Sequence, residues 1–286
     1  TLNSLIATTE RMKEAPQHSD TTFALHPAEL ERYQRDGYLV RQNAFSPTEL
    51  TRLHAALERA CAVALQQAPT GQEYFLDGKR FVDVGRCTLQ FEAASEASEA
   101  SEVQKNFRVI EPIIEFDEAL DQLADDPRLT APMRSILNTT SLSLWTAKLN
   151  LKGPGGAGFG WHQDSPYWIH DCDHVDLLPN VMLTLDDQSR HNGCFEIIRA
   201  SHLAGMLPGT DNGTDLGGFY TDPTTFDVGN SVPFEVPAGS LIFFNPHCVH
   251  GSGVNSSAEN RRALIYTYQP GHRNTLKTGT LRPVIT

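Results

Sequence analysis

The sequence predicts a mainly β fold with flanking helices: a double-stranded β-helix, the jelly roll of cupin-like proteins. Three observations carry this. From residue 141 onward the chain breaks into runs of about six to eleven residues, rich in β-branched and aromatic side chains. Gly, Pro, Asn or Asp separates each run from the next, and clear helical periodicity is confined to the part before them. The 286 residues, 40% hydrophobic and 20% charged, supply enough apolar material for one sizeable core.

The elements follow in order. Residues 1–22 are polar and without period, and read as a flexible arm. PAELERYQRDG (27–37) predicts a short helix with Pro27 in its first turn and Gly37 as its stop, running into the strand-like YLVRQ. Ser46, Pro47 and Glu49 occupy the N-cap, N1 and N3 positions of a capping box. Behind them Leu50, Leu53, Leu57 and Cys61 recur at helical spacing, predicting a helix to about residue 66 that lies against a sheet.

EAASEASEASE (92–102) is an acidic three-residue repeat with nothing large to bury, and reads as a surface insertion, with a lid as the alternative. Asp126 and Pro127 open a helix through Leu137. The strands expected after it are SLSLWTAKLNL, NVMLTLDD, CFEIIR, SLIFFNP and RRALIYTYQ, with Asn192-Gly193 as a hairpin turn between the second and third. No composition shift marks a boundary, so residues 23–286 read as a single domain.

Charge and cysteine usage narrow the function. A net charge of −12 opposes a nonspecific grip on phosphate backbones or anionic lipid, which sets nucleic acid and membrane aside and leaves a small molecule as the expected partner. The five cysteines are scattered and form no C-x-x-C pair, against a disulfide framework or structural zinc and in keeping with a cytoplasmic protein. No stretch has the length of a signal-peptide core or a membrane span.

The chemistry concentrates in WHQDSPYW (161–168), after the run GPGGAGFG (153–160). On a strand, side chains alternate faces, so His162 and Asp164 share one and Gln163 takes the other. A third metal ligand is expected from NPHCVHGSGVN (245–255), which offers His247 and His250. Two imidazoles and one carboxylate on one face of iron(II) leave three positions open, the arrangement of non-haem oxygenases. A co-substrate such as 2-oxoglutarate would chelate there and need a buried partner for its distal carboxylate. The planar, permanently charged fork of arginine suits that task. Arg261 and Arg262 open RRALIYTYQ, and only one of the two can face inward.

The glycine run lacks the Lys-Ser/Thr ending of a phosphate-binding loop and reads as a flexible connection into the metal strand. Cys248 reads as packing. His170, His174, His191 and His202 have no partner spacing and read as satisfied loop or surface residues.

Taken together, WHQDSPYW, NGCFEII with RASH, and HGSGVNSSAENR resemble the phytanoyl-CoA dioxygenase family of iron(II)- and 2-oxoglutarate-dependent oxygenases. The likeness runs from ERYQRDGYLV to about residue 270 and is strongest between 144 and 268. It implies His162, Asp164 and His250 as the metal triad, with His247 standing outside it. It implies Arg261, eleven residues beyond His250, as the partner of 2-oxoglutarate, with Ser252 supplying a hydroxyl and Asn150 a further hydrogen bond. Alternation along TAKLNLK then groups Thr146 and Lys148 with Asn150 on the inner face. Trp168 matches a position beside the substrate in ectoine-hydroxylating relatives, and Tyr167 and Trp168 are candidate walls of the substrate pocket.

The implied cofactors are Fe(II), 2-oxoglutarate and O2, and the implied reaction is hydroxylation of an unactivated C–H bond of a small organic molecule with release of succinate and CO2. A carboxylate at 164 favours this over halogenation, since related halogenases keep a small residue there. The same triad also serves desaturation, cyclisation and epimerisation, and a catalytically silent metabolite-binding relative is the remaining alternative. Phe81, Phe91, Trp168 and the basic residues Lys79, Arg80, Arg86, Lys105 and Arg108 stand in or beside segments able to cover the pocket, which hints at an anionic or amphipathic substrate.

Overall fold

Local signals start the fold where the sequence places them. In a computed structural model that describes residues 23–92 and 107–286, helix α1 (Pro27–Asp36) ends at Gly37, whose φ of 86° is the left-handed conformation that favours glycine. Helix α2 (Pro47–Gln67) is capped by Ser46 and Glu49 as expected. It buries Leu50, Leu53, Leu57 and Cys61, and with them Ala56, Ala60 and Ala64, small side chains that bring the helix close to the sheet. Helices α3 (Glu118–Leu123) and α4 (Pro127–Leu137) complete the layer outside the core. The expected arm at 1–22, the acidic repeat beyond Glu92, and Lys105 lie outside the described residues.

Thirteen strands among the described residues build two sheets. The larger has nine strands, ordered β1 (Tyr38–Arg41), β11 (Leu241–Phe244), β8 (Asn180–Thr184), β13 (Arg261–Pro270), β6 (Leu142–Lys152), β5 (Phe107–Glu111), β4 (Cys87–Phe91), β3 (Lys79–Val84) and β2 (Gln72–Leu76). The smaller has four: β10 (Ser231–Pro233), β9 (Phe195–Ile198), β12 (His250–Ser252) and β7 (Phe159–His162). Every pairing is antiparallel. This is the expected jelly roll with helices outside it.

One apolar cluster joins α2 to the outer face of the large sheet through Leu183, Leu264 and Tyr266. A second, with Met182, Phe195, Ile197, Phe244 and Ile265, fills the space between the sheets. Removing one such fully buried aliphatic side chain costs about 2–5 kcal/mol.

Two expectations are corrected. Asn192-Gly193 does not join a hairpin, because β8 lies in the large sheet and β9 in the small one. The Asn192 side chain folds back onto the Asp187 carbonyl and the Ser189 amide, and Gly193 has a φ of 67°. The turn therefore carries the chain from one sheet to the other. Strands β2 to β5 are not among the expected strands; they extend the large sheet beyond β6. Among the described residues no helix is long and apolar enough to cross a membrane.

Candidate active site

β12 sits between β7 and β9, and its register sets His250 directly opposite His162. Their rings stand 4.2 Å apart, centre to centre. β7 ends at His162, so Asp164 is not on the strand as expected; it is the residue before a one-turn helix, α5 (Ser165–Trp168). The turn is fixed by the Asp164 and Ser165 amides, which both donate to the Pro246 carbonyl. Gln163 is locked by the carbonyls of Gly205 and His247 and the Leu207 amide. One ligand atom from each of His162, Asp164 and His250 then lies within 4.8 Å of the others.

The protonation states suit a metal. Burial pushes His162 down to about 3, with His250 adding to the shift, and burial likewise lowers His250. Both imidazoles are neutral at pH 7. Each Nδ1–H donates to a backbone carbonyl, Gly160 at 2.7 Å for His162 and Cys248 at 2.9 Å for His250, which leaves both Nε2 lone pairs free.

Burial alone would raise Asp164, but Lys148, then His250 and His162, hold it below the usual carboxylate value. Its Oδ2 accepts from Asn180 Nδ2 at 2.9 Å, and Asn180 Oδ1 accepts in turn from the Thr267 hydroxyl. The sequence alone did not single out Asn180 or Thr267. Their signal is alternation, since each is a wholly buried polar residue on a strand lining the space between the sheets.

These ligands open into a cavity of about 350 Å³. Inward positions of neighbouring strands line it: Phe81 from β3, Gln90 from β4, Glu111 from β5, Lys148 and Asn150 from β6, and Arg261 from β13. Arg261 is 1% exposed, its Nε has no partner, and it forms no ion pair among the described residues. Burial pushes it down to about 10, with Arg108 contributing. Arg262 faces the other way, onto Asp186 and Glu58. A buried guanidinium without a counter-ion, in the same cavity as three convergent metal-type ligands, fits an anionic chelate that bridges the two.

The other expected residues divide. Asn150 lines the cavity. Ser252 also lines it, with its Oγ 2.7 Å from Lys152 Nζ. Lys148 lies 3.4 Å from Asp164 Oδ1 and 5.0 Å above the ring of Trp168. Trp168 is wholly buried yet reaches the wall, and Tyr167 stacks on Phe219 at 4.4 Å. Thr146 is corrected: it shares the inner face but is buried behind the wall, where its hydroxyl donates to Glu111.

His247 turns away, to Ser165 and Asp176, and Cys248 is packed without exposure. His174 is buried against Gln269 and Trp145. Lys79 and Arg108 line the cavity, whereas Arg80 lies over the buried Phe91 and Arg86 reaches Thr280. Glu111 and Lys277, 3.4 Å apart, also line it and were not foreseen.

Known proteins resemble this chain in sequence and in fold. The phytanoyl-CoA dioxygenase family profile matches residues 33–263. L-proline trans-4-hydroxylase from Streptomyces griseoviridis is 26% identical over 83% of this chain and 84% of its own. Ectoine dioxygenase from Stutzerimonas stutzeri is 27% identical over 91% of this chain and 82% of its own. The crystal structure of EctD from S. alaskensis with 2-oxoglutarate and 5-hydroxyectoine superposes with a TM-score of 0.62 at 21% identity, covering 94% of this chain and 81% of that one.

Proposed function

We propose that this chain, which belongs to the phytanoyl-CoA dioxygenase family and is an Fe(II)- and 2-oxoglutarate-dependent dioxygenase, holds iron through His162, Asp164 and His250 and pairs the distal carboxylate of 2-oxoglutarate with Arg261. The observation that carries the assignment is the meeting, in one cavity, of three ligand atoms within 4.8 Å and a buried arginine that lacks a counter-ion. Bound iron supplies the oxidation: oxygen and 2-oxoglutarate are consumed, succinate and CO2 are released, and a substrate hydrogen is replaced by hydroxyl.

The chain's own residues bind, orient and exclude water. The Gly160 and Cys248 carbonyls keep both imidazoles in the tautomer that presents Nε2. Asn180 and Lys148 fix the two oxygens of Asp164. Phe195 and Phe244, with ring centres 5.3 and 5.2 Å from that of His250, shield it from solvent. Asn150 and Ser252 offer polar groups in the wall of the cavity that also holds the metal ligands and Arg261.

The substrate in this reading is a small polar molecule carrying an anionic group. Lys79, Lys148 and Lys277 line the cavity against the single carboxylate of Glu111 once Asp164 is committed to metal. L-proline and ectoine, the substrates in the names of two relatives, are of the size that such a cavity accepts.

Adding iron(II) and 2-oxoglutarate without oxygen should produce a visible charge-transfer band in the wild type and in H247A, and none in H162A or H250A. Succinate release across a panel of small amino acids, their cyclic derivatives and phosphonates then identifies the substrate. A band that survives in H250A and is lost in H247A would overturn the ligand assignment.

A further inference from the structure

The cavity holds a second group of charges, set apart from Arg261 along the sheet. On β6 the inward positions run Lys152, Asn150, Lys148, and Arg261 stands opposite Lys152 at one end. β5 pairs Val109 with Asn150 and Ile110 with Leu149, a register that carries on to set Glu111 opposite Lys148. The backbone of Glu111 is thus about 13 Å along the strand direction from that of Arg261. Lys148, across from it, stands 3.4 Å from Asp164 Oδ1.

A third charge comes from the chain beyond β13. There the Lys277 amide donates to the Trp145 carbonyl of β6 at 2.8 Å, Leu276 is buried, and Arg282 is held by Asp121 and Asp125. These contacts pin the segment so that Lys277 Nζ meets Glu111 Oε1 at 3.4 Å. Lys277 lies outside residues 33–263, the stretch that the family profile matches. The pair is therefore no part of that shared stretch.

Bonding capacity is left over on both partners. Glu111 Oε1 accepts from Thr146 Oγ1 at 2.9 Å and from Lys277, while Oε2 has no hydrogen bond among the described residues. The Lys277 ammonium has three protons and this single side-chain partner, at a longer distance than the 2.7 Å of Arg282 to Asp121 or the 2.8 Å of Arg262 to Asp186. Both side chains line the cavity and keep part of their surface, 19% for Glu111 and 30% for Lys277. Burial alone would raise the Glu111 carboxyl, but Lys148 and then Lys277 hold it below the usual value, so it is ionised. An ionised carboxylate and an ammonium, each with a site to spare, face the same space.

We propose that Glu111 and Lys277 together select the substrate, and that the substrate is a small zwitterion of the α-amino acid kind, its protonated nitrogen on Glu111 and its carboxylate on Lys277. This rests on the reading of the site given above and names the substrate class. The two protein charges stand side by side, so a ligand that meets both must carry its own opposite charges side by side, one carbon apart. A plain anion or a plain cation would meet one attraction and one repulsion there, whereas a zwitterion meets two attractions. Lys148 spans from the position opposite Glu111 to Asp164, so a ligand on the anchor has its carbon skeleton beside the three metal-type ligands of the same cavity.

The test is calorimetry on the ferrous protein loaded with 2-oxoglutarate, without oxygen so that nothing turns over. The probes are the common L-α-amino acids with L-proline among them, the matching acids in which oxygen replaces the nitrogen, the matching amides, which lack the carboxylate, and 4-aminobutyrate, whose charges lie far apart. At least one amino acid should bind, and its oxygen counterpart, its amide and 4-aminobutyrate should each bind about tenfold more weakly or worse. Glu111→Gln should weaken that amino acid about tenfold and leave its oxygen counterpart unchanged. Lys277→Met should weaken both of them and leave the amide unchanged. The charge-transfer band of iron with 2-oxoglutarate should be the same in all three proteins, which separates a lost substrate from a lost fold.

Equal binding of an amino acid and its oxygen counterpart, or equal weakening of the two by Glu111→Gln, shows that Glu111 does not read the nitrogen and overturns the proposal. Should Glu111→Gln lose the band, the wild-type comparison of those two ligands decides alone. A wild type that forms the band and binds no amino acid overturns the substrate class and leaves the metal and co-substrate reading standing. If the wild type forms no band, that reading fails, and this inference fails with it.

Discussion

Asn180 Nδ2 donates to Asp164 Oδ2 at 2.9 Å, and Lys148 Nζ stands 3.4 Å from the other oxygen. The carboxylate is thus set from both sides before any metal arrives, and the Thr267 hydroxyl fixes which way the Asn180 amide points. Such outer contacts commonly contribute about 10–100-fold to metal affinity. Asn180→Ala should therefore weaken iron(II) binding about tenfold or more with the fold intact, as read by anaerobic titration. Thr267→Val should act in the same direction but more weakly, because it leaves Asn180 in place and frees only its orientation. Unchanged iron affinity in Asn180→Ala would leave Asp164 held by Lys148 alone.

Arg261 pulls stability and function in opposite directions. A buried cation without a counter-ion is costly, and an apolar replacement of similar volume removes that cost. Arg261→Met should raise the stability of the protein without co-substrate by about 1 kcal/mol or more. The same change removes a forked, charge-assisted contact and should raise the KM for 2-oxoglutarate about tenfold or more. Urea denaturation without co-substrate and steady-state kinetics with it check the two halves. A destabilised Arg261→Met would mean that the guanidinium is already balanced inside the protein.

Lys152 makes stability depend on pH. Its ordinary value in the unfolded chain is 10.5 and burial sets it at about 6 in the fold. Between those values the unfolded state carries a proton that the native state lacks, so stability rises with pH across the window and falls as pH drops toward 6. The slope from one such group is at most about 1.4 kcal/mol per pH unit. Urea denaturation of the metal-free protein at pH 7, 8 and 9 should give a steeper rise for the wild type than for Lys152→Met. Parallel slopes would place a charged Lys152 in the resting protein.

Legibility in the sequence followed the range of the interaction. The caps at Ser46 and Gly37 act within one helical turn and were readable from residue types alone. Strand alternation, which survives any sheet order, put Lys148 on the face of Asn150 and required one of Arg261 and Arg262 to turn inward, while the family resemblance chose Asn150 and Arg261. Asn192-Gly193 misled because a turn signal reports a reversal of the chain and not which strands pair; that is decided by long-range partners, β11 and β13 for β8, and β10 and β12 for β9.

Strands β2 to β5 went unread although KRFVDV and CTLQF alternate, and Asp77-Gly78, with φ values of 48° and 74°, is a tight hairpin turn between β2 and β3. The Asn180 to Asp164 contact spans sixteen residues and two elements, and no local pattern encodes it.

The β2–β3 hairpin lines the cavity through Leu76 and Lys79. Both oxygens of Asp77 accept backbone N–H groups from the facing loop, Asp215 at 2.9 Å and Leu216 at 2.8 Å. A few residues away Lys79 Nζ donates to the Tyr220 hydroxyl at 2.8 Å. Leu216, Phe219 and Tyr220 line the cavity from that loop, so the Asp77 clasp holds three apolar or aromatic walls over the bound substrate. The contacts are exposed, and losing both should cost about 1 kcal/mol of closure, a factor of about five.

Asp77→Ala should accordingly raise the substrate KM about fivefold and leave iron and 2-oxoglutarate binding unchanged, since Asp77 lies outside the metal and Arg261 ends of the site. A looser roof also admits water and lets the substrate shift, so more succinate should form per molecule of hydroxylated product. Asp77→Asn keeps one acceptor oxygen and should recover part of the loss. If Asp77→Ala keeps succinate and product at the wild-type ratio and leaves the substrate KM unmoved, the loop is held by Lys79 and Tyr220 without help from the hairpin tip.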